Sequence, residues 1–261
     1  MPEHIPLDGA TNFRDFGGYA TPNGTIAPGK LFRSDRLSEL TPNDYRKLAE
    51  LGIELVVDLR RPSELESHPT QWPGAKAPEL WHAPLIEDGT PGSLQALMEE
   101  TESQRSPERA VQQMVVIYRQ LVNDALPRRQ YKQIIERLAH TDSPRTIVHC
   151  SGGKDRTGVV VALIQSALGV AKQDVIDDFM MSAHYYDGAA LMHERASQVL
   201  DTSSADYDPE YLLPIFTVYT DYIEATFEEI EGQFGDTTAY LQEAVGVSPR
   251  TLTELRAKLL A

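Results

Sequence analysis

Cys150 and Arg156 stand with five residues between them, Ser151, Gly152, Gly153, Lys154 and Asp155, in the stretch T-I-V-H-C-S-G-G-K-D-R-T-G from Thr146 to Gly158. Two adjacent glycines let a backbone turn its N–H groups inward at low steric cost, and a guanidinium grips two oxygens at once. With the N-terminus of a following helix, these parts make a cradle for a tetrahedral dianion. The same positive field holds a neighbouring thiol as its thiolate. A thiolate facing a bound phosphate is a nucleophile. Cys150 would attack phosphorus in line while Arg156 and the amides of Ser151, Gly152, Gly153, Lys154 and Asp155 hold the other oxygens, and water would then hydrolyse a phosphocysteine. Thr157 is placed either to donate its hydroxyl to the leaving sulfur or to cap the helix. The scheme needs no metal, and no cofactor is expected.

The elements that must position these residues are legible on either side. Thr146, Ile147 and Val148 form a β-branched run typical of a buried strand, and Val159 to Val170 is an apolar stretch of helical length with Gly169 near its end. The motif therefore sits on a strand-loop-helix corner. A nucleotide-binding Gly-rich loop would need an earlier Gly and a Ser or Thr after the Lys, where this chain has Val148 and Asp155. Cys150 is the sole cysteine, and a lone cysteine is more often a small core residue. The spacing to Arg156 argues against that here. The signature resembles that of cysteine-dependent phosphatases, and H-C-S-G-G-K-D-R-T-G is similar to the bacterial branch that handles phosphotyrosine and, in some members, phosphoinositides. Eight defined positions would match by chance at about 10⁻¹⁰ per window.

Other segments agree with the resemblance. Asn12 to Tyr19, N-F-R-D-F-G-G-Y, and Leu31 to Asp35 continue the family's pattern; Arg14 and Asp15 read as a structural ion pair under the loop. Thr41-Pro42 starts a helix running to about Gly52. Ile53 to Leu59 reads as a buried parallel strand ended by Arg60-Arg61-Pro62. Ligands in open α/β sheets gather beyond the strands' carboxyl ends. Asp58 lies at such an end, and the family carries D-L-R here too, which implies that Asp58 borders the site, either orienting Arg156 or the neighbouring loop or taking part directly. Residues 66 to 106, including acidic Glu99 to Glu102, read mainly as loop. Trp72-Pro73 is followed by Gly74, so it lacks the acid of a Trp-Pro-Asp loop. Helices are predicted over about 107–123 and 127–140, with Thr141 to Pro144 leading into the motif strand. Further helices are predicted over about 174–182 and 211–233, then near Tyr240 and over 249–260.

A leaving oxygen needs a proton, and three carboxylates compete to supply it, with Asp155 in the loop, Asp58 at its rim and Asp124 upstream. The resemblance favours Asp155, and Asp124 is read as a helix-end carboxylate. Lys154 adds a charge that simple phosphotyrosine does not need, and the resemblance ties such a Lys to inositol phospholipids.

The chain has 261 residues, 41% of them hydrophobic, with 24 Lys and Arg against 39 Asp and Glu, for a net charge of −15. That balance argues against nucleic acid and against electrostatic attachment to anionic lipid. The expected fold is α/β, a central, largely parallel sheet flanked by helices and cysteine-phosphatase-like, with extra C-terminal helices. One phosphatase domain over 1–261 is expected, with residues from about 184 onward as a helical extension or lid. The expected partner is a phosphorylated protein or phosphoinositide, and the rival function is a phosphate-binding module without turnover. With no apolar membrane span and no export signal in Met1 to Pro6, a soluble, cytoplasmic protein is expected.

Overall fold

The computed structural model describes residues 3–73, 77–89, 106–140, 145–199 and 209–261. The acidic stretch Glu99 to Glu102 and the connection 141–144 lie outside the described residues.

The sheet contains β1 (Glu3–His4), β2 (Arg14–Asp15), β5 (Leu31–Ser34), β6 (Leu55–Asp58), β7 (Glu79–His82) and β8 (Thr146–His149), in the order β1-β2-β5-β8-β6-β7. The strands from β5 to β7 run parallel, and β1 and β2 add an antiparallel edge. A small hairpin, β3 (Ala20–Thr21) with β4 (Gly24–Thr25), stands apart.

Side-chain alternation along these strands divides the core. Leu31, Leu55, Val57 and Val148 join the larger core with the C-terminal helices. Phe32, Val56 and Ile147 face the other way, against Phe13, Leu37 and Leu48. Leu48 comes from α1 (Pro42–Leu51), whose start is fixed by Thr41 and Asp44 in a reciprocal cap and whose end is fixed by left-handed Gly52.

The register aligns Ser34, His149 and Asp58 at the carboxyl ends of adjacent strands. Beyond them the chain turns into α2 (Pro62–Ser67) after β6 and into the loop from Cys150 after β8. That loop enters α5 (Asp155–Leu168), while α3 (Pro107–Asn123) and α4 (Ala125–His140) precede β8. Almost every residue of α5 from Thr157 onward is buried, as expected of a helix apolar on all sides. After it come α6 (Lys172–Met180), α7 (Ser182–Tyr185) and α8 (Gly188–Val199).

The helix predicted over 211–233 is divided. A 3-10 turn at Pro209–Leu212 leads into α9 (Leu213–Phe216), Thr217 is extended, and α10 (Thr220–Phe234) starts anew. Pro214, in the first turn of α9, lacks an N–H and cannot continue a preceding helix. The chain ends through α11 (Thr237–Glu243) and α12 (Pro249–Leu259), with α10 packed on α3 and α12 on α4. Strand β7, within the tract read as loop, is a four-residue edge strand with no buried side.

Candidate active site

The loop after β8 is held from outside by its carbonyls. Arg36 N donates to Ser151 O at 3.1 Å, Asn12 Nδ2 to Gly152 O at 3.0 Å, and Arg33 Nη2 to Gly153 O at 2.9 Å. With these oxygens tied outward, the amides of Ser151 to Lys154 engage no other group among the described residues and remain available around buried Cys150. Gly153 has φ +64°, and a Cβ there would stand 2.4 Å from Ser34 O. Only glycine fits that close approach.

The segment Asn12 to Asp15 supports this loop by a different pairing from the one expected. Arg14 and Asp15 do not pair with each other. Arg14 bonds Asn12, Ser182 Oγ and the Asp178 carbonyl, and Asp178 Oδ2 also accepts from Arg33 Nη1 at 2.7 Å. Asp15 accepts from the N–H groups of Gly17 and Gly29. Neighbouring strand residues point to opposite faces, so adjacent Arg14 and Asp15 are driven apart.

Arg156 projects from the first turn of α5 and meets Glu64 of α2. Nη1 donates to Oε2 at 2.5 Å and Nη2 to Oε1 at 2.9 Å, a bidentate fork. Glu64 also accepts from Ser151 Oγ at 2.6 Å and Arg61 N at 2.8 Å. The orienting partner of Arg156 is thus Glu64, which sequence reasoning missed. The available signal was an acid in the first turn of a helix begun by Pro62, just past the end of β6.

Burial alone would raise the Glu64 carboxyl, but the Arg156 fork, Ser151 and the Arg61 amide outweigh it and hold it at about 2, against an ordinary 4.5. Arg156 is itself held above its ordinary value: burial opposes this, and Cys150 and Glu64 outweigh burial. Because the folded-state value of Glu64 is depressed, its contribution to stability is complete above pH 4.5 and is lost as pH falls towards 2. A Glu64→Gln variant should therefore show a flatter Tm against pH across that window. At neutral pH its kcat should fall by about 10- to 100-fold, because Arg156 loses its orientation.

Asp58 does not contact Arg156. Its carboxylate takes three bonds from the Arg60 guanidinium at 2.6 to 3.1 Å and one from Arg60 N, and lies 3.6 Å from His149 Nε2. Arg60 is further bonded to His68 O and Thr70 Oγ1. Burial raises the Asp58 carboxyl, but His149 and Arg60 prevail and lower it. Burial also lowers the His149 imidazole, with Asp58 opposing. Asp58 therefore braces the base of the loop.

Asp155 sits at the head of α5. Its Oδ1 accepts from Tyr118 of α3 at 2.7 Å, and its Oδ2 lies 3.0 Å from Lys154 Nζ. Burial first, then the Asp155 charge, keeps the Tyr118 phenol protonated as a donor. The Lys154 ammonium donates to Ile215 O at 2.6 Å and Thr217 O at 3.1 Å, carbonyls at the end of α9 and in the break before α10. Thr157 Oγ1 is buried without a hydrogen-bond partner among the described residues, so neither the bond to sulfur nor a cap is present. Asp124 is exposed, at the junction of α3 and α4, as a helix-end residue.

A cleft of about 450 Å³ opens beside the loop, lined by Arg36 and Arg60, by Ser63, Glu64, Ser67 and His68 of the α2 region, and by Tyr186, Leu191, Ile215 and Phe216. Ser151 also lines it.

A model of the tyrosine phosphatase family matches residues 5–261. The chain belongs to the tyrosine phosphatase family. Its relatives in that family include the triple specificity protein phosphatase PtpB of Mycobacterium tuberculosis, 29% identical over 97% of this chain and 98% of that protein. A tyrosine-protein phosphatase of Nostoc commune is 28% identical over 90% of this chain and 76% of its own length. As a tyrosine phosphatase, the chain is an enzyme acting on phosphorylated substrates, and the α/β fold expected for it is the one observed.

Proposed function

We propose that this tyrosine phosphatase hydrolyses phosphotyrosine, and phosphoinositides as a second class, through a phosphocysteine on Cys150. The observation that carries the reading is the loop whose carbonyls are held outward, leaving its amides and Arg156 around the buried thiol. The Cys150 thiolate attacks phosphorus, forming the S–P bond as the ester P–O bond breaks. A carboxyl proton passes to the leaving oxygen. Water then breaks the S–P bond, releasing inorganic phosphate and restoring the thiolate.

Asp155 is the proton donor in this reading, since Asp58 is held by Arg60 and Asp124 caps a helix. Tyr118 donates to Oδ1 and Lys154 Nζ lies 3.0 Å from Oδ2, so both carboxyl oxygens are positioned by neighbours at the head of the motif helix. Asp155→Asn should slow alkyl phosphates by about 10² to 10⁴, the usual value of general-acid help. An activated aryl phosphate, which departs unaided, should slow much less. Equal slowing of both would remove Asp155 from that role.

The net charge of −15 disfavours nucleic acid as a partner. No described helix is long and apolar enough to cross a membrane. A reactive free thiol suits the reducing cytosol, the compartment this reading favours.

A further inference from the structure

Gly152 belongs to the phosphate cradle, and the hydroxyl end of the Tyr186 ring closes on it. A Cβ built at Gly152 would stand 3.2 Å from both Cζ and the hydroxyl oxygen of Tyr186. The missing side chain is therefore what lets an aromatic ring reach the loop. Its neighbour Tyr185 fixes the approach: that ring stacks on His4 at 4.0 Å between centroids, with the Arg14 guanidinium 5.7 Å away. With Tyr185 anchored there, Tyr186 faces the cleft.

The lining of the cleft is of two chemistries. Arg36, Arg60, Glu64 and the α2 residues Ser63, Ser67 and His68 give the cleft a polar lining, and Tyr186, Leu191, Ile215 and Phe216 give it an apolar one. A phosphate seated on the Gly152 amide points its ester oxygen into this space, so the first group beyond the phosphate meets the Tyr186 ring. The volume, about 450 Å³, falls in the range of roughly 300 to 1,000 Å³ usual for small-ligand sites. An aryl group lies flat against such a wall and gains stacking there. An alkyl phosphate brings only a methylene to the same position.

We propose that Tyr186 is a specificity-determining residue that seats the aromatic ring of an aryl phosphate monoester on the apolar wall beside the loop. The proposal rests on the catalytic reading above. It assigns Tyr186 to the leaving group and not to the phosphate, and those two roles separate in kinetics.

The test measures KM for a phosphotyrosine peptide and Ki for inorganic phosphate as competitor, in the unmodified protein and in Tyr186→Ala, Tyr186→Leu and Tyr186→Phe. Tyr186→Ala and Tyr186→Leu should each raise KM by about tenfold, with Ki for phosphate within about twofold, since the loop carbonyls stay tied to Arg36, Asn12 and Arg33. Tyr186→Phe should keep both constants, because the ring face and not the hydroxyl is assigned to the substrate's aryl group. Tyr186→Leu retains bulk over Gly152, so it reads the aromatic contribution even where Tyr186→Ala loosens the fold. A rise of Ki in step with KM would make the ring a prop for the loop and overturn the proposal, as would an unchanged KM in both variants. Absence of phosphomonoesterase activity in the unmodified protein would instead sink the catalytic reading on which it rests.

Discussion

Replacing Cys150 by Ser is expected to abolish turnover while leaving the cradle able to bind its anion. A serine hydroxyl at neutral pH is a far weaker nucleophile than a thiolate, and the neighbouring imidazole is turned to other partners: His149 Nδ1 faces the Cys150 carbonyl and Nε2 faces Asp58. The loss should be on the order of 10⁵, or about 7 kcal/mol of transition-state free energy. Binding of inorganic phosphate, followed by calorimetry, should change by less than about tenfold, because the loop carbonyls remain tied to Arg36, Asn12 and Arg33. Residual turnover within about a hundredfold of the parent would remove the phosphocysteine from the mechanism.

Arg156→Lys should lose kcat/KM by about 10³, although the charge is kept. The guanidinium bonds both oxygens of Glu64 and must still present N–H groups to the phosphate. A lysine ammonium is a single point on a flexible stem and cannot reproduce the planar fork. Phosphate affinity should fall together with kcat, in contrast to Cys150→Ser. A loss under about tenfold would mean that the fork is dispensable and that the amides alone hold the phosphate.

What is legible in the sequence, and what is not, follows from the range of the interactions. Thr146 to Gly158 declare their strand, loop and helix because β-branched residues, paired glycines and an apolar helix are local signals, and the observed elements fall there. Asp58 does stand at its strand end, yet its partner is Arg60 and not Arg156. The residue that meets Arg156 is Glu64, 92 positions earlier in the chain, and no local pattern reports a pairing made by the turn into α2. Lys154 reads as a charge for the substrate because an exposed loop lysine would be one. Its actual acceptors are backbone carbonyls of Ile215 and Thr217, which carry no side-chain signature. Pro214 marks the start of α9 and not the break at Thr217 that frees them, and the apolar run masks that break. Tyr118 and Tyr186 look like ordinary helix and loop aromatics until the fold brings them to Asp155 and Gly152.

The Lys154 ammonium has a consequence for how far this chain can be divided. The motif, its strand and its helix end by Leu168, so a fragment that stops soon afterwards would contain every residue of the signature. Such a fragment would strand a buried cation whose acceptors at Ile215 and Thr217 had been cut away. Asp155 would still offset the charge, but an ammonium stripped of two hydrogen-bond acceptors is destabilising by on the order of a few kcal/mol, enough to draw Lys154 out towards water and Asp155 with it. The smallest piece that keeps the loop in its present shape therefore extends through Thr217, and the signature is not a transplantable module.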